Sequence, residues 1–149
     1  LVKPYKIFFK DGIKIGVFGL GIELLHLVSP DLYKETKYLN PIEIAQDISR
    51  DLKEKEACDL VICLSHLGYN YKNSDKISDL KLAAATKNID LIIGGHTHTF
   101  LPKPTLVKNL NNENVLVNQV GAYGVNLGRV DFYFDENNQR EISNKTIIL

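Results

Sequence analysis

Two short runs, "DLVICLS" at 59–65 and "IDLIIGG" at 89–95, are apolar at almost every position rather than at alternate ones. A strand with one wet face alternates apolar and polar residues, so a run without alternation must be covered on both faces. The segment before the first run, "NPIEIAQDISRDLKEKEA", carries Ile44, Ile48 and Leu52 at four-residue spacing between charges, the pattern of a helix lying on a sheet. Asn40 stands as its N-cap and Pro41 at its first helical position. Between the two runs, "HLGYNYKNSDKISDLKLAAATKN" reads as a polar loop and then a second helix from about Asp75 to Thr86. Strand, helix, strand, helix, strand requires parallel crossovers, and the middle of the chain is therefore α/β.

The flanks are different. "YKIFFKDGIKIGVFGLG" places Asp11-Gly12 between apolar runs, which predicts an antiparallel hairpin of residues 5–9 and 13–19. Gly19-Leu20-Gly21 lacks the third glycine of a dinucleotide loop and follows a hairpin, so it is read as a turn. After residue 100, "ENVLVNQV" and "LGRVDFYFDENNQREISNKTIIL" predict a β-rich tail with turns at Gly121–Gly128 and Asp135–Asn138 and no further helix.

With 149 residues and 44% hydrophobic content, the chain can close one core. Lys plus Arg and Asp plus Glu both number 18, which argues against a nucleic-acid polymer or an anionic surface as partner. No apolar run approaches the ~20 residues of a membrane span. Cys58 and Cys63, five apart along a short run, would point to opposite faces of a strand about 16 Å apart, beyond disulfide reach. They also lack zinc-knuckle spacing, and are read as small hydrophobes.

Chemistry concentrates at the ends of the two buried runs, with His66 after the first and His96 and His98 after the second. In open α/β sheets the carboxyl ends of the strands face the crevice where ligands bind, and neighbouring strands lie about 4.8 Å apart, close enough to share an ion. The glycines of "GGHTH" let the backbone turn sharply, and the one-residue gap lets both imidazoles point the same way. Neutral imidazole suits Zn, Mn, Fe, Co or Ni. Three histidines could form one site or be divided between two ions. His26, alone in "ELLHLVSP", is read as a loop residue. Tyr69 and Tyr71 are read as packing rather than a substrate mouth, and Arg129 as a lone cation rather than a phosphate contact. Asn118 and Gln119 end a strand and are read as turn residues rather than as hydrogen-bond partners of the backbone near the site.

"LVICLSHLGYN" followed by "IDLIIGGHTHTFL" resembles the later motifs of calcineurin-like metallophosphoesterases, and "KIGVFGLG" with "VLVNQVGAYGVNLGRVDFYF" resembles their 5′-nucleotidase branch. The resemblance implies half of an αββα sandwich, a parallel or mixed sheet with flanking helices and a β-rich C-terminal part. It implies a phosphoric-ester hydrolase with two divalent metal ions, in which a metal-activated hydroxide attacks the phosphorus of a nucleotide or other phosphomonoester. By motif, His66 and His96 would serve one ion and His98 the other. Related 5′-nucleotidases can carry another polar residue where this chain has His98.

The family's Asp-x-His, Gly-Asp and Asn-His-Glu/Asp segments have no counterpart here. The resemblance thus reads residues 1–149 as the C-terminal half of a catalytic domain, with no catalytic residue in this segment, no second domain, and the N-terminal half of the same domain as its partner. It implies that the fragment alone is inactive and that exposed sheet edges favour oligomers. It also implies a periplasmic or otherwise extracytoplasmic location, although two free thiols leave the cytoplasm open. The competing expectation is a non-catalytic metal-binding or structural module with a three-histidine site.

Overall fold

The computed structural model describes residues 2–25, 27–135 and 140–148. The hairpin forms as β1 (Tyr5–Lys10) and β2 (Ile13–Leu20), paired antiparallel from Tyr5↔Phe18 to Lys10↔Ile13. Asp11 and Gly12 both have positive φ, 51° and 83°, the requirement of the two-residue turn whose twist matches that of the flanking strands. A single helical turn, α1 (Pro30–Tyr33), interrupts the loop that follows. The amphipathic helix is α2 (Pro41–Glu54), capped by the Asn40 side chain, which accepts the Ile42 N–H at 3.0 Å.

Next come β3 (Leu60–Ser65), α3 (Asp79–Ala85), β4 (Leu91–Ile93), β5 (Thr105–Lys108), β6 (Asn114–Asn118), β7 (Asn126–Phe134) and β8 (Arg140–Ile148). One six-stranded sheet has the order β1-β2-β3-β4-β6-β5, in which β2, β3, β4 and β6 are parallel and β1 and β5 are antiparallel edges. β7 and β8 form a separate antiparallel pair. The fold is mixed α/β, as the two buried runs required.

Three expectations are corrected. The second helix begins at Asp79, not Asp75, because Ser78 is its N-cap, accepting the Lys81 N–H at 3.3 Å. The second buried strand is only three residues long, since Gly94 and Gly95 already belong to the turn. The strand β5, following Pro102 and Pro104, was not expected at all. His26 and the end of the expected turn at 135–138 lie outside the described residues.

α2 and α3 cover one face of the sheet, where Phe18, Val61, Cys63, Ile92, Val115 and Val117 meet Ala45, Leu52, Leu82 and Ala83. Burying such a cluster at about 25 cal/mol per Å² of apolar surface is the main force holding the layers together. At Gly16 the contact is so close that a Cβ would stand 2.7 Å from Leu52 Cδ2, so α2 sits on β2 because a glycine is there. On the other face Leu64 and Ile93 remain about half exposed, at 48% and 46%. Cys58 and Cys63 are buried free thiols, and burial drives the Cys63 thiol far above its ordinary pKa.

Candidate metal centre

Since β2, β3, β4 and β6 run parallel, their carboxyl ends fall on one edge. His66 follows the last residue of β3, and the turn 94–99 follows β4. The two imidazoles of His66 and His96 meet edge-to-face, ring centroids 5.3 Å apart at 68°. His98 turns instead to Tyr123, centroids 5.8 Å apart at 63°. Thus the edge gathers all three histidines, but pairs only two of them. Among the described residues no group of three His, Cys, Asp or Glu side chains comes close enough to hold an ion. The donor set fits a divalent first-row ion in kind, two facing imidazoles being suitable nitrogen ligands, and further ligands would complete the shell.

Burial, then the nearby His66, Lys76 and His98, hold the His96 pKa below the ordinary imidazole value. The unprotonated ring is the one that can bind a cation. Both turn histidines lie in the left-handed region, His96 at φ 69° and His98 at φ 51°. Non-glycine residues there store about 1–3 kcal/mol each, and persist only where the surroundings hold them.

Two sets of buried polar side chains lie beneath the loops. In the first, Ser65 Oγ donates to Asp79 Oδ1 at 2.5 Å and accepts the Leu67 N–H at 3.1 Å, while the Asp79 N–H donates to Gly68 O at 2.8 Å. These bonds fix the turn that carries His66. Asp79 is fully buried, and desolvation raises its pKa to about 6 in spite of the Ser65 bond. Its Oδ2 has no partner among the described residues, and a Cβ on Gly94 would collide with it. Only glycine lets the carboxylate reach beneath the histidine turn.

The second set centres on Gln119, 2% exposed, directly after β6. It bonds the backbone of the histidine turn rather than forming a turn of its own, through Gly95 O and the Thr99 N–H. Tyr69 and Tyr71 are tied down by their hydroxyls, one sharing a hydrogen bond with Thr105 Oγ1 at 2.9 Å and the other donating to Leu67 O at 2.7 Å. Arg129 pairs with Asp131 at 2.9 Å. Sequence reasoning missed Ser65, Thr97 and Asp79. The alternation in "HTHT" was a usable signal for Thr97, whereas "SDLK" looks like any capped helix start.

The chain matches the model of the family described as calcineurin-like phosphoesterase over residues 4–100. It is 38% identical, over 99% of its length, to the trifunctional nucleotide phosphoesterase of Bacillus subtilis, covering 10% of that protein. A 5′-nucleotidase of Vibrio cholerae is 32% identical over 90% of the chain, which covers 28% of that relative. Among solved structures, a 5′-nucleotidase precursor from Thermus thermophilus superposes with a TM-score of 0.77 at 27% identity, over 98% of this chain and 30% of that one. The chain therefore spans less than a third of the length of these relatives.

Proposed function

Because the chain belongs to the calcineurin-like phosphoesterase family, we propose that it forms the C-terminal half of the catalytic domain of a 5′-nucleotidase-like phosphohydrolase. The observation that carries the reading is the convergence of His66 and His96, from adjacent parallel strands, to a centroid separation of 5.3 Å. His66 and His96 hold one divalent ion and His98, set apart from them, a second. When bound, the two ions supply Lewis acidity toward the phosphate oxygens and a lowered pKa for water.

The chain's own part is to present three imidazoles on short, braced turns at an open edge. His96, its pKa already depressed, enters that role unprotonated at neutral pH. The remaining ligands come from the N-terminal half of the domain, which packs against the sheet where Leu64 and Ile93 are half exposed. The substrates are nucleotide phosphate esters or related phosphomonoesters. By likeness to the 5′-nucleotidase relatives, we place the enzyme outside the cytoplasm; among the described residues no helix is long and apolar enough to cross a membrane.

The test compares residues 1–149 with the full-length protein, measuring Mn²⁺ binding by calorimetry and phosphate release from AMP. The fragment should bind Mn²⁺ weakly, release no phosphate and self-associate, while the full-length protein does all that the fragment cannot. Full turnover by the pure fragment, or a monodisperse monomer by light scattering, would count against the half-domain reading. The rival reading is a non-catalytic metal-binding or structural module with a three-histidine site. Under that rival His98→Ala changes neither metal content nor turnover of the full-length protein; under ours it lowers both.

A further inference from the structure

We infer that Gln119 is the positioning residue of the histidine turn, locking it in the strained conformation that presents His96 and His98. The inference rests on the metal-centre reading above. The chain after β4 and the chain after β6 are joined by backbone hydrogen bonds on either side of the turn, with Gly94 N–H donating to Asn118 O at 2.8 Å and Leu101 N–H to Gln119 O at 3.0 Å. Gly121 N–H also donates to Thr99 O at 3.0 Å. Between those ties residues 95–100 form the histidine turn while the partner segment advances only from 118 to 119, and the Gln119 side chain bonds into that turn.

Both ends of its amide are used. Nε2 donates to Gly95 O at 2.6 Å. Oε1 accepts the Thr99 N–H and, at 3.1 Å, the Thr97 hydroxyl. One buried side chain thus grips residues 95, 97 and 99, every second position, and leaves 96 and 98 for the imidazoles. This alternation is what the one-residue gap between the histidines is for.

The grip extends to the neighbouring turn. Thr97 Oγ1 accepts the Tyr69 N–H at 3.0 Å and lies 2.9 Å from Thr99 Oγ1, so it links the His66 loop to the turn that Gln119 holds. The left-handed φ values of His96 and His98 need such restraint, since a free loop of this composition would relax both residues to negative φ. Asparagine, one methylene shorter, could not span from Gly95 to Thr99. Glutamate would set a carboxylate oxygen against the Gly95 carbonyl, where the amide now donates.

The experiment uses the full-length protein, stripped by chelator and titrated with Co²⁺, reading affinity by calorimetry and ligand geometry by the visible spectrum. Gln119→Met keeps the length and removes the polar atoms. Gln119→Glu reverses one contact. Each should weaken Co²⁺ binding about 10- to 100-fold, the range for residues that orient metal ligands, and alter the spectrum at saturation. If neither variant folds, Thr97→Val removes the central hydroxyl at little cost in volume and should weaken binding in the same sense, while Thr97→Ser restores it.

Wild-type affinity and spectrum in the Gln119 variants, or in Thr97→Val, would overturn the inference while leaving the metal centre standing. A wild-type protein that binds no Co²⁺ overturns the metal-centre reading itself, and the inference falls with it. The combination Thr97→Val with Gln119→Met should be no worse than the weaker-binding single variant, because both break one network.

Discussion

The two edges of the parallel sheet are both polar, yet they are organised in opposite ways. At the amino edge the carboxylates bind strand N–H groups and have cations nearby. Asp59 accepts the Lys14 N–H at 2.7 Å, and Asp90 accepts the Val61 N–H at 2.7 Å while pairing with Lys53 Nζ at 3.1 Å. Lys14 itself reaches Glu56 at 3.3 Å. At the carboxyl edge the imidazoles of His66, His96 and His98 meet other rings rather than hydrogen-bond partners among the described residues. Asp79 keeps one buried oxygen there without a partner among the described residues, and two histidines sit at positive φ. One edge uses polarity to hold strands in place; the other holds polar groups in readiness, and its restraint comes from residues beneath.

That contrast is broken most directly by His66→Ala and His96→Ala. On the proposed metal-centre reading, each should lower kcat/KM of the full-length protein about 10³-fold, the several kcal/mol expected when metal-assisted charge stabilisation is lost. The melting temperature of the chelator-stripped protein should hardly move, since neither ring is fully buried or hydrogen-bonded among the described residues. A stripped variant that melts far below wild type would mean that the carboxyl edge is structural after all.

The next effect concerns Asp79. Its folded pKa, about 6, lies above its ordinary 3.8, so between those values the native state binds more protons than the unfolded one. Stability then falls as pH rises through that window and is level on either side. Two units correspond to at most about 3 kcal/mol. Asp79→Asn removes the titration and should flatten the stability curve, measured by denaturant unfolding in chelator between pH 4 and 6. Groups common to the two proteins cancel in the difference. A difference curve that is flat would show that the carboxylate is stabilised by something other than Ser65.

How far this contrast could be seen in sequence depends on range. The hairpin at Asp11-Gly12, the cap at Asn40 with Pro41 behind it, and the histidines at the ends of apolar runs are local patterns, and each stands where the pattern put it. β5 escaped because its four residues follow two prolines and gain their pairing only from β6. Asp79 escaped because an acidic residue in the first turn of a helix is usually solvated; what buries it is the approach of the β3 and β4 turns. Gln119 was legible as a polar residue near the site. Its grip on alternate positions of another loop is a fact of three dimensions.

The smallest expected effect lies at the amino edge and is the control for the rest. Asp90→Ala leaves the Val61 N–H without that acceptor and Lys53 without that partner, in a position where the aspartate side chain is 13% exposed. An unsatisfied, largely buried donor costs about 1–3 kcal/mol, and the ion pair adds little beyond it. We therefore expect a loss of about 2 kcal/mol in denaturant unfolding, with Asp90→Asn recovering most of it because the amide oxygen still accepts from Val61. Neither change should alter Co²⁺ affinity or kcat/KM of the full-length protein, because Asp90 lies at the opposite end of β4 from His96. If Asp90→Ala weakened metal binding as much as His96→Ala, the three-residue strand between them would be transmitting the change, and the two edges could no longer be treated as independent.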